Sequence, residues 1–302
     1  MKPAYLIFFV LLLCKHLSLK SQYYFSTGNH QEPVPLWEMG LSAGAINCLT
    51  DIGGHSGIGK KFIKDINWNK TQACMDAFVS ATWPSGFSIR AAFMYGQITG
   101  SDDVLKNSSS LAQARYLRNL SFKTSILEGS ILAEIHPLAI FAANKEVTLL
   151  SPYCIAGIGL FNYNPQAFIN NAWVDLRALH TEGEGFAEVP NNKTYSPVSW
   201  CIPLGAGIKY DASGLINLRF ELLYRITGTD YLDDLSNRYI DPSLFSKYLS
   251  ATQAALAIQL ADRSAELANG KKNNVNDIRG NPSNKDAYFS AMLKISLALG
   301  RK

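Results

Sequence analysis

The sequence predicts an all-β fold: a transmembrane antiparallel up-and-down β-barrel of about eight strands, with long extracellular loops and a helical insert in the last loop. Three observations support this prediction. About eight stretches alternate apolar with polar or small residues, the gaps between them alternate between short and long, and no charged residue falls on an apolar face. Each is expected of an outer-membrane barrel, where a Lys or Arg facing lipid at mid-bilayer costs roughly 2–4 kcal/mol.

The strands are predicted in chain order from this alternation, because a strand places every second side chain on the same side. Their apolar faces begin at Trp37, Met75, Phe87, Leu127, Ile202, Ile216 and Phe289. The stretch 153–161 is apolar on both sides, so its outward face stays unassigned. Aromatic residues at the ends of several faces fit the interfacial girdles of a membrane protein.

The gaps between the strands predict the two ends of the barrel. Short gaps predict turns at 84–86, 137–146 and 211–214, which we expect on the periplasmic side. Long gaps predict outer loops at 48–71, 100–119, 162–198 and 227–286. A soluble lipocalin-like barrel turns its apolar residues inward and needs no such alternation, so the membrane barrel is the favoured interpretation.

The faces opposite the apolar ones carry charges of both signs. These inward positions are Glu38, Arg90, Glu128, Glu134, Lys209, Arg219, Glu221, Arg225 and Lys294. Eight strands enclose an interior that side chains just fill, so an open pore is not expected, and buried charges must be paired. We interpret the set as a structural charge network. A proton or ion path is the alternative, although no spacing singles one out.

The N-terminus predicts export. Lys2 precedes an apolar core at 5–14 that is too short to span a bilayer and has the length of a secretory signal core. Cleavage after residue 21 divides the chain into a signal peptide (1–21), a periplasmic N-terminal segment (22–36) and an outer-membrane barrel domain (37–302). Lipidation at Cys14 is disfavoured because the preceding Leu13 is bulky.

Composition and motifs exclude several functions. The formal net charge of +4 includes three lysines of the signal peptide, so the mature chain is near +1 and predicts no nucleic-acid partner. Residues 54–61 match a phosphate loop except that Lys61 replaces the Ser or Thr. His55 and His180 lie in different loops without the spacing of a catalytic site. No catalytic residue, metal or cofactor is expected.

Two features of the outer loops stay open. Cys48 and Cys74 flank the first long gap and are compatible with either a disulfide or free buried thiols. Residues 242–267 predict a helix with Leu244, Tyr248, Ala251, Ala255 and Ile258 on one face, followed by a polar, mobile segment at 269–285. This helix either covers the barrel mouth or presents a docking surface for a partner.

Five strings occur in an order that resembles the PorG-like outer-membrane β-barrel family of Bacteroidota, which includes a component of the type IX (Por) secretion system. They lie at 118–123 (RNLSFK), 152–159, 173–183, 202–210 and 229–236. The family-like residues within them are Arg118, Asn119, Trp173, Thr181, Glu182, Gly183, Asp230, Tyr231, Asp233 and Asp234. The insert at 242–267 is longer than the resemblance leads us to expect.

The resemblance implies a non-enzymatic function: an integral outer-membrane protein of a Gram-negative, Bacteroidota-type cell that anchors the type IX apparatus. Its partners would be outer-membrane lipids and the periplasmic ring components of the PorK and PorN type. The alternative is a paralogous surface barrel that binds an external ligand or partner through its long outer loops. A cluster of carboxylates at Asp230, Asp233 and Asp234 would suit calcium, but it lacks the alternating spacing of a calcium loop and favours a helix cap or a solvated rim.

Overall fold

The computed structural model describes residues 35–53, 66–106, 110–141, 150–268 and 270–299. Its strands are β1 (Leu36–Leu49), β2 (Gln72–Thr82), β3 (Phe87–Ser101), β4 (Ser121–Ile135), β5 (Leu150–Ile169), β6 (Ala172–Asp175), β7 (Val198–Asp211), β8 (Ile216–Thr227) and β9 (Ala287–Leu299). The predicted signal peptide and the phosphate-loop-like segment at 54–61 lie outside the described residues.

Eight of these strands form one closed antiparallel barrel. They pair in the order β1–β2–β3–β4–β5–β7–β8–β9, and β9 pairs with β1 to close the sheet. The connections alternate in length as predicted, with four residues at 83–86 and at 212–215 against 59 residues at 228–286. The predicted fold class is therefore confirmed.

The third outer connection differs from the prediction, because β5 does not end near residue 161. It continues to Ile169, turns at Asn170 and Asn171, and returns as the short strand β6. Both asparagines have a positive φ, 50° and 64°, the conformation that a two-residue hairpin turn of type I′ requires. The predicted loop at 162–198 thus begins as a hairpin that extends the sheet.

Burial confirms which face of each strand points outward. Large apolar side chains on the outside stay exposed, among them Leu41 (65%), Ile158 (71%) and Leu293 (69%). The exposure of Ile158 also assigns β5, whose alternate residues Tyr153, Phe161 and Tyr163 point inward and are buried. An apolar exterior around a charged interior is the surface of a barrel that spans a membrane.

The half of the interior toward the long loops is filled by apolar side chains. Ile46, Ile98, Ile126 and Met292 from four strands pack with Leu232 of the last long connection. All five are at most 2% exposed. We call this group the apolar plug. It closes the lumen at that end.

The described helices are α1 (Ser110–Arg118), α2 (Pro137–Phe141), α3 (Ser243–Tyr248) and α4 (Ala251–Ala261). The prediction of a single helix at 242–267 is therefore wrong, because the helix is interrupted at residues 249–250. A new helix begins there, with Ser250 as the N-cap of α4 in a capping box with Gln253. No described helix is long and apolar enough to cross a membrane.

The buried face of α4 also differs from the predicted face. Ala254, Ala257 and Leu260 pack against Leu179 and Phe186 of the β5–β7 connection, whereas the predicted face residues Ala251 and Ala255 are exposed. Within the segment predicted to be mobile, Arg279 is only 3% exposed, whereas residues 271–278 and 281–285 are exposed. The insert is thus part of a folded cap made of the long connections, and its buried face is occupied by this same chain.

The possible disulfide between Cys48 and Cys74 is contradicted by the strand register. Cys74 pairs with Gly44 of β1, four residues from Cys48, so the two Cα atoms lie about 13 Å apart at the usual rise of a strand. A disulfide needs Cα atoms within about 7 Å. Both thiols are free and buried. The cysteines flank the same loop but lie on different levels of the barrel.

Candidate functional site

Eight charged side chains meet inside the barrel toward the short-turn end. Seven strands contribute them, and we call them the central cluster: Glu38, Asp76, Arg90, Glu134, Lys209, Arg219, Glu221 and Lys294. The group contains four carboxylates and four cations, and each member is at most 8% exposed. Charges so far from water must be balanced by direct partners, and the eight members are four of each sign. A further carboxylate, Asp211 at the end of β7, lies 3.9 Å from Lys209 and is 14% exposed.

Two arginines bridge the carboxylates at the centre of this cluster. Arg90 contacts Glu221 through both terminal nitrogens, with Nη2 2.9 Å from Oε2, and its Nη1 lies 2.9 Å from Glu134 Oε1. Arg219 places Nη1 3.0 Å from Glu134 Oε2 and donates from Nη2 to Glu38. Paired N–H···O bonds of this kind fix the relative orientation of the two side chains and also strengthen their interaction. Glu134 therefore links the two guanidinium groups.

The lysines complete the cluster at its two sides. Lys209 donates to Glu38, which also accepts from Asn217 Nδ2 at 2.9 Å. Lys294 donates to Asp76 and lies 3.8 Å from Glu221. The network therefore includes a neutral side chain, Asn217, as well as the charged ones.

An aromatic ring fills the space beside the cations. The Phe78 ring centroid lies 5.5 Å from the guanidinium carbons of Arg90 and Arg219 and 5.0 Å from Lys294 Nζ. The face of an aromatic ring attracts a nearby cation, and the attraction is stronger where water is absent. Phe78 thus both packs the lumen and supports its positive charges.

A second, smaller group lies between the central cluster and the apolar plug. Arg225 Nε contacts Glu128 Oε2 at 2.6 Å, and Tyr288 donates to the same oxygen at 2.9 Å. We call Arg225 and Glu128 the upper pair. Beyond it the described strands place no charged side chain in the lumen, where mostly apolar residues pack with the hydrogen-bonded hydroxyl groups of Thr124, Tyr163 and Thr227. This arrangement supports the structural interpretation of the charges over a proton or ion path.

The structure brings seven of the nine predicted lumen charges into the central cluster and the other two into the upper pair. The prediction omitted Asp76, although the alternation of β2 places it on the inward face. It also omitted Tyr153, which donates to Glu221 at 2.9 Å from a strand whose face was unassigned. A count of every inward polar residue would have included Asp76.

The family-like residues gather mainly in the cap. Arg118 pairs with Asp102 through two nitrogens, at 2.8 and 2.9 Å, and donates from Nη1 to the carbonyl of Arg279 at 2.7 Å. Arg279 in turn contacts Glu182 at 2.9 Å. Glu182 also accepts from the backbone N–H of residue 236 at 3.1 Å. These contacts join three long connections, so the motif residues tie the loops to one another.

The remaining motif residues divide between this network and the cap surface. Asp234 accepts from Thr181 Oγ1 at 2.6 Å and from a tyrosine hydroxyl, and Tyr231 stacks on that same tyrosine, Tyr195, at 4.4 Å between centroids. Gly183 turns the chain at a φ of 71°. Outside the network, Asn119 Nδ2 donates to the carbonyl of residue 263 at 3.1 Å, and Lys123 Nζ lies 3.8 Å above the Trp173 ring.

Carboxylates outnumber cations in the cap interior. Asp233 accepts from the backbone N–H of Ile52 at 2.8 Å, and Asp286 accepts from that of Leu232 at 2.8 Å. Burial, together with neighbouring carboxylates, raises the pKa of both groups well above the ordinary value. Burial also raises the pKa of Asp230 to about 7 and that of Asp234 to about 6. These acids therefore hold protons more tightly than free aspartates.

The described residues contain no group of three His, Cys, Asp or Glu side chains placed to hold a metal ion. The three acids of 230–234 instead accept hydrogen bonds from loop backbone and hydroxyl groups. His180 packs its ring 5.8 Å from that of Phe186, and His55 lies outside the described part of the chain. The geometry thus assigns the three acids and His180 to loop packing.

No protein-family model and no curated protein matches the chain. Several solved outer-membrane barrels match its structure. OprG from Pseudomonas aeruginosa has a TM-score of 0.40 at 8% identity and covers 89% of this chain and 98% of its own. Ail of Yersinia pestis, solved with the heparin analogue sucrose octasulfate, has a TM-score of 0.35 at 8% identity, covering 89% and 100%. A likeness of this degree does not by itself assign a function.

Proposed function

We propose that the chain is a non-enzymatic outer-membrane barrel that anchors a periplasmic assembly, with its short turns on the periplasmic side. The PorG-like resemblance makes the type IX secretion apparatus the candidate assembly and its PorK- and PorN-type ring components the candidate partners. The observation that carries the proposal is the filled lumen. Among the described residues, the charge cluster and the apolar plug fill the lumen, which suits a scaffold better than a channel.

The short-turn end supports this proposal because the backbone of its described β2–β3 and β7–β8 turns is hydrogen-bonded to neighbouring segments. In the β2–β3 turn, Gly86 N–H donates to the Trp83 carbonyl at 3.1 Å, and the Gly86 carbonyl accepts from His136 N–H at 2.8 Å. The β7–β8 turn contacts β9 through Ala298 N–H and the Leu215 carbonyl at 2.8 Å. A surface that is already ordered loses little conformational entropy when a partner binds.

Apolar side chains at this end offer contacts for such a partner. Leu138 and Ile140 of α2 are 42% and 48% exposed, and Leu215 of the β7–β8 turn is 56% exposed. Exposed apolar groups clustered at one end of a protein often mark a site of interaction.

The test is co-purification of the tagged full-length protein in mild detergent. We expect ring components of the PorK and PorN type to co-purify with the wild type. Leu138→Arg at the short-turn end should reduce their recovery at least fivefold, because a charge would be buried against the partner. Ile278→Arg, an equally drastic change at an exposed residue of the cap, is the matched control and should have no effect.

The alternative function, binding of an external ligand or partner through the outer loops, is favoured by one observation. The cap is folded and still presents apolar residues such as Val275 (50% exposed) and Ile278 (71% exposed). If Ile278→Arg abolishes an interaction that Leu138→Arg leaves intact, the anchor proposal is wrong and the surface-binding function takes its place.

A further inference from the structure

The outward face of the barrel carries a groove that crosses β9, β1, β2 and β3. Its volume is about 680 Å³, within the roughly 300–1,000 Å³ that small-molecule sites occupy. Outward-facing apolar side chains form its walls: Met39, Leu41, Val79, Phe93, Ile295 and Leu297. The groove therefore lies in the surface that faces the membrane and is separate from the lumen clusters.

Two alanines create the depression. Ala77 lies in register between Leu41 on one side and Phe93 on the other, and Ala91 pairs with Val79. A methyl group between long side chains leaves the surface recessed. Elsewhere on the barrel, β5 presents large residues such as Leu160 in the same band. The recess therefore results from the small side chains of Ala77 and Ala91 in this part of the sheet.

The groove is closed toward the lumen. The Phe78 ring lies behind it, on the inward face of β2, against the cations of the central cluster. Ser296 also borders the groove, but its side chain turns inward, where Oγ donates to Glu38 Oε2 at 3.2 Å. An occupant of the groove would consequently meet apolar groups and no free hydrogen-bonding side chain.

The register places the groove in one half of the membrane. Met39 pairs with Val79 and Leu297, and Val79 is three residues from Thr82, where β2 ends at a short turn. Trp37 and Phe87, both exposed aromatic residues at strand ends, mark the interface on this side. The groove thus opens into the hydrocarbon of the leaflet next to the short turns.

We propose that the groove binds one acyl chain of a phospholipid from that leaflet. A polypeptide lying there would need partners for each backbone N–H and C=O, which hydrocarbon does not supply, whereas an acyl chain has no polar group to satisfy. The apolar walls select an apolar ligand, and the position of the groove along the strands selects the leaflet. The choice of a phospholipid rests on the proposed periplasmic side of the short turns, but it does not depend on a role in secretion.

The experiment uses the full-length protein in phosphatidylethanolamine and phosphatidylglycerol vesicles that contain a phosphatidylcholine with a diazirine in its acyl chain. After illumination, labelled peptides are mapped by mass spectrometry. We expect the segments of β2 and β3 around Ala77 and Ala91 to carry at least three times the label of the outward face of β7. The double variant Ala77→Leu, Ala91→Leu should lower this label to the level of β7.

Ala206→Leu is the matched control, since it adds the same bulk at an exposed alanine of β7, and it should leave the labelling of the groove unchanged. Folding of each variant is verified by heat-modified mobility, and Ala91→Val replaces the double variant if that variant does not fold. Uniform labelling around the barrel, or persistent labelling in the folded groove variant, would overturn the proposal. Crosslinks between two protein chains at β1–β3 would overturn it in favour of a second copy.

Discussion

Arg219 and Glu134 meet in the barrel interior, with Nη1 3.0 Å from Oε2, although they lie on β8 and β4, which are separated by β5 and β7 around the barrel. The contact crosses the lumen instead of running along the sheet. Each residue has a second partner of opposite charge, Glu38 for Arg219 and Arg90 for Glu134. A pair that spans the lumen in this way holds opposite walls of the barrel together.

Replacement of Arg219 should therefore destabilise the barrel strongly. Arg219→Met leaves Glu134 and Glu38 buried with one cation fewer each, and removal of one partner from a buried ion pair costs about 3–5 kcal/mol. We expect the free energy of unfolding, measured by urea titration in lipid vesicles, to fall by that amount. Lys247→Ala, which removes an exposed pair in the cap, should leave it unchanged. Equal stability of wild type and Arg219→Met would contradict the role of the network.

The cap should loosen as the pH rises. The pKa of Asp230 is raised to about 7, and Asp51, Glu182 and Lys285 are the charged groups that act on it. Because its pKa is higher in the folded than in the unfolded chain, its stabilising contribution is complete below about pH 4 and is lost as the pH rises through 7. Proteolysis of the cap, normalised to an unstructured peptide at each pH, should be faster at pH 8 than at pH 5.

Asp230→Asn mimics the protonated carboxyl group and should flatten that pH dependence. The exposed Asp241 of the same connection provides the control, since Asp241→Asn should preserve the wild-type profile. An unchanged slope in Asp230→Asn would show that another group governs the opening of the cap.

The cysteines should all be free thiols. Labelling of the unfolded, unreduced mature protein should modify Cys48, Cys74, Cys154 and Cys201, because the strand register keeps the first two too far apart for a disulfide. The same measurement tests the predicted signal peptide, since a chain that retains Cys14 would carry five labels. Two labels fewer than expected would mean that a disulfide forms in spite of the register.

The N-cap of α4 should stabilise the cap locally. Ser250 accepts from Gln253 N–H, and loss of such a cap costs a helix about 0.5–2 kcal/mol. Ser250→Ala should therefore speed amide hydrogen exchange in residues 254–260 several-fold without an effect on the barrel strands. Ser243→Ala is the control, because α3 begins without a side-chain cap. Unaltered exchange in Ser250→Ala would show that tertiary packing alone holds α4.

The barrel could be predicted because its signals are local. Alternation with a period of two assigns each face, and the exclusion of charge from lipid assigns the outside. The partners of Arg219 could not be predicted, because a sequence shows which residues point inward but not which of them meet across the lumen. Alternation alone also left β5 ambiguous, since Ile155 and Ile158 lie on opposite faces of it.

The cap could be predicted only in part, since its structure depends on contacts between distant loops. The helical period at 242–267 was real, but the break at Ser250 and the choice of face follow from packing against Leu179 and Phe186. The pair Asn170–Asn171 was a readable turn signal that the prediction missed. Arg279, which crosses the cap to Glu182, has no sequence signature at all.

The distribution of charge among the lumen strands bears on how the barrel closes. In the central cluster and upper pair, β1–β4 supply four of the five carboxylates, and β7–β9 supply four of the five cations. Before closure, the inward face of β1–β4 therefore carries a net negative charge, and that of β7–β9 carries a net positive charge. Attraction between the two faces favours closure, and the ion pairs that cross the lumen can form only once β9 meets β1. In an open sheet, or in a barrel that lacks one of the charged strands, some of these charges have no partner, so the side chains that pack the mature lumen also favour the complete cylinder.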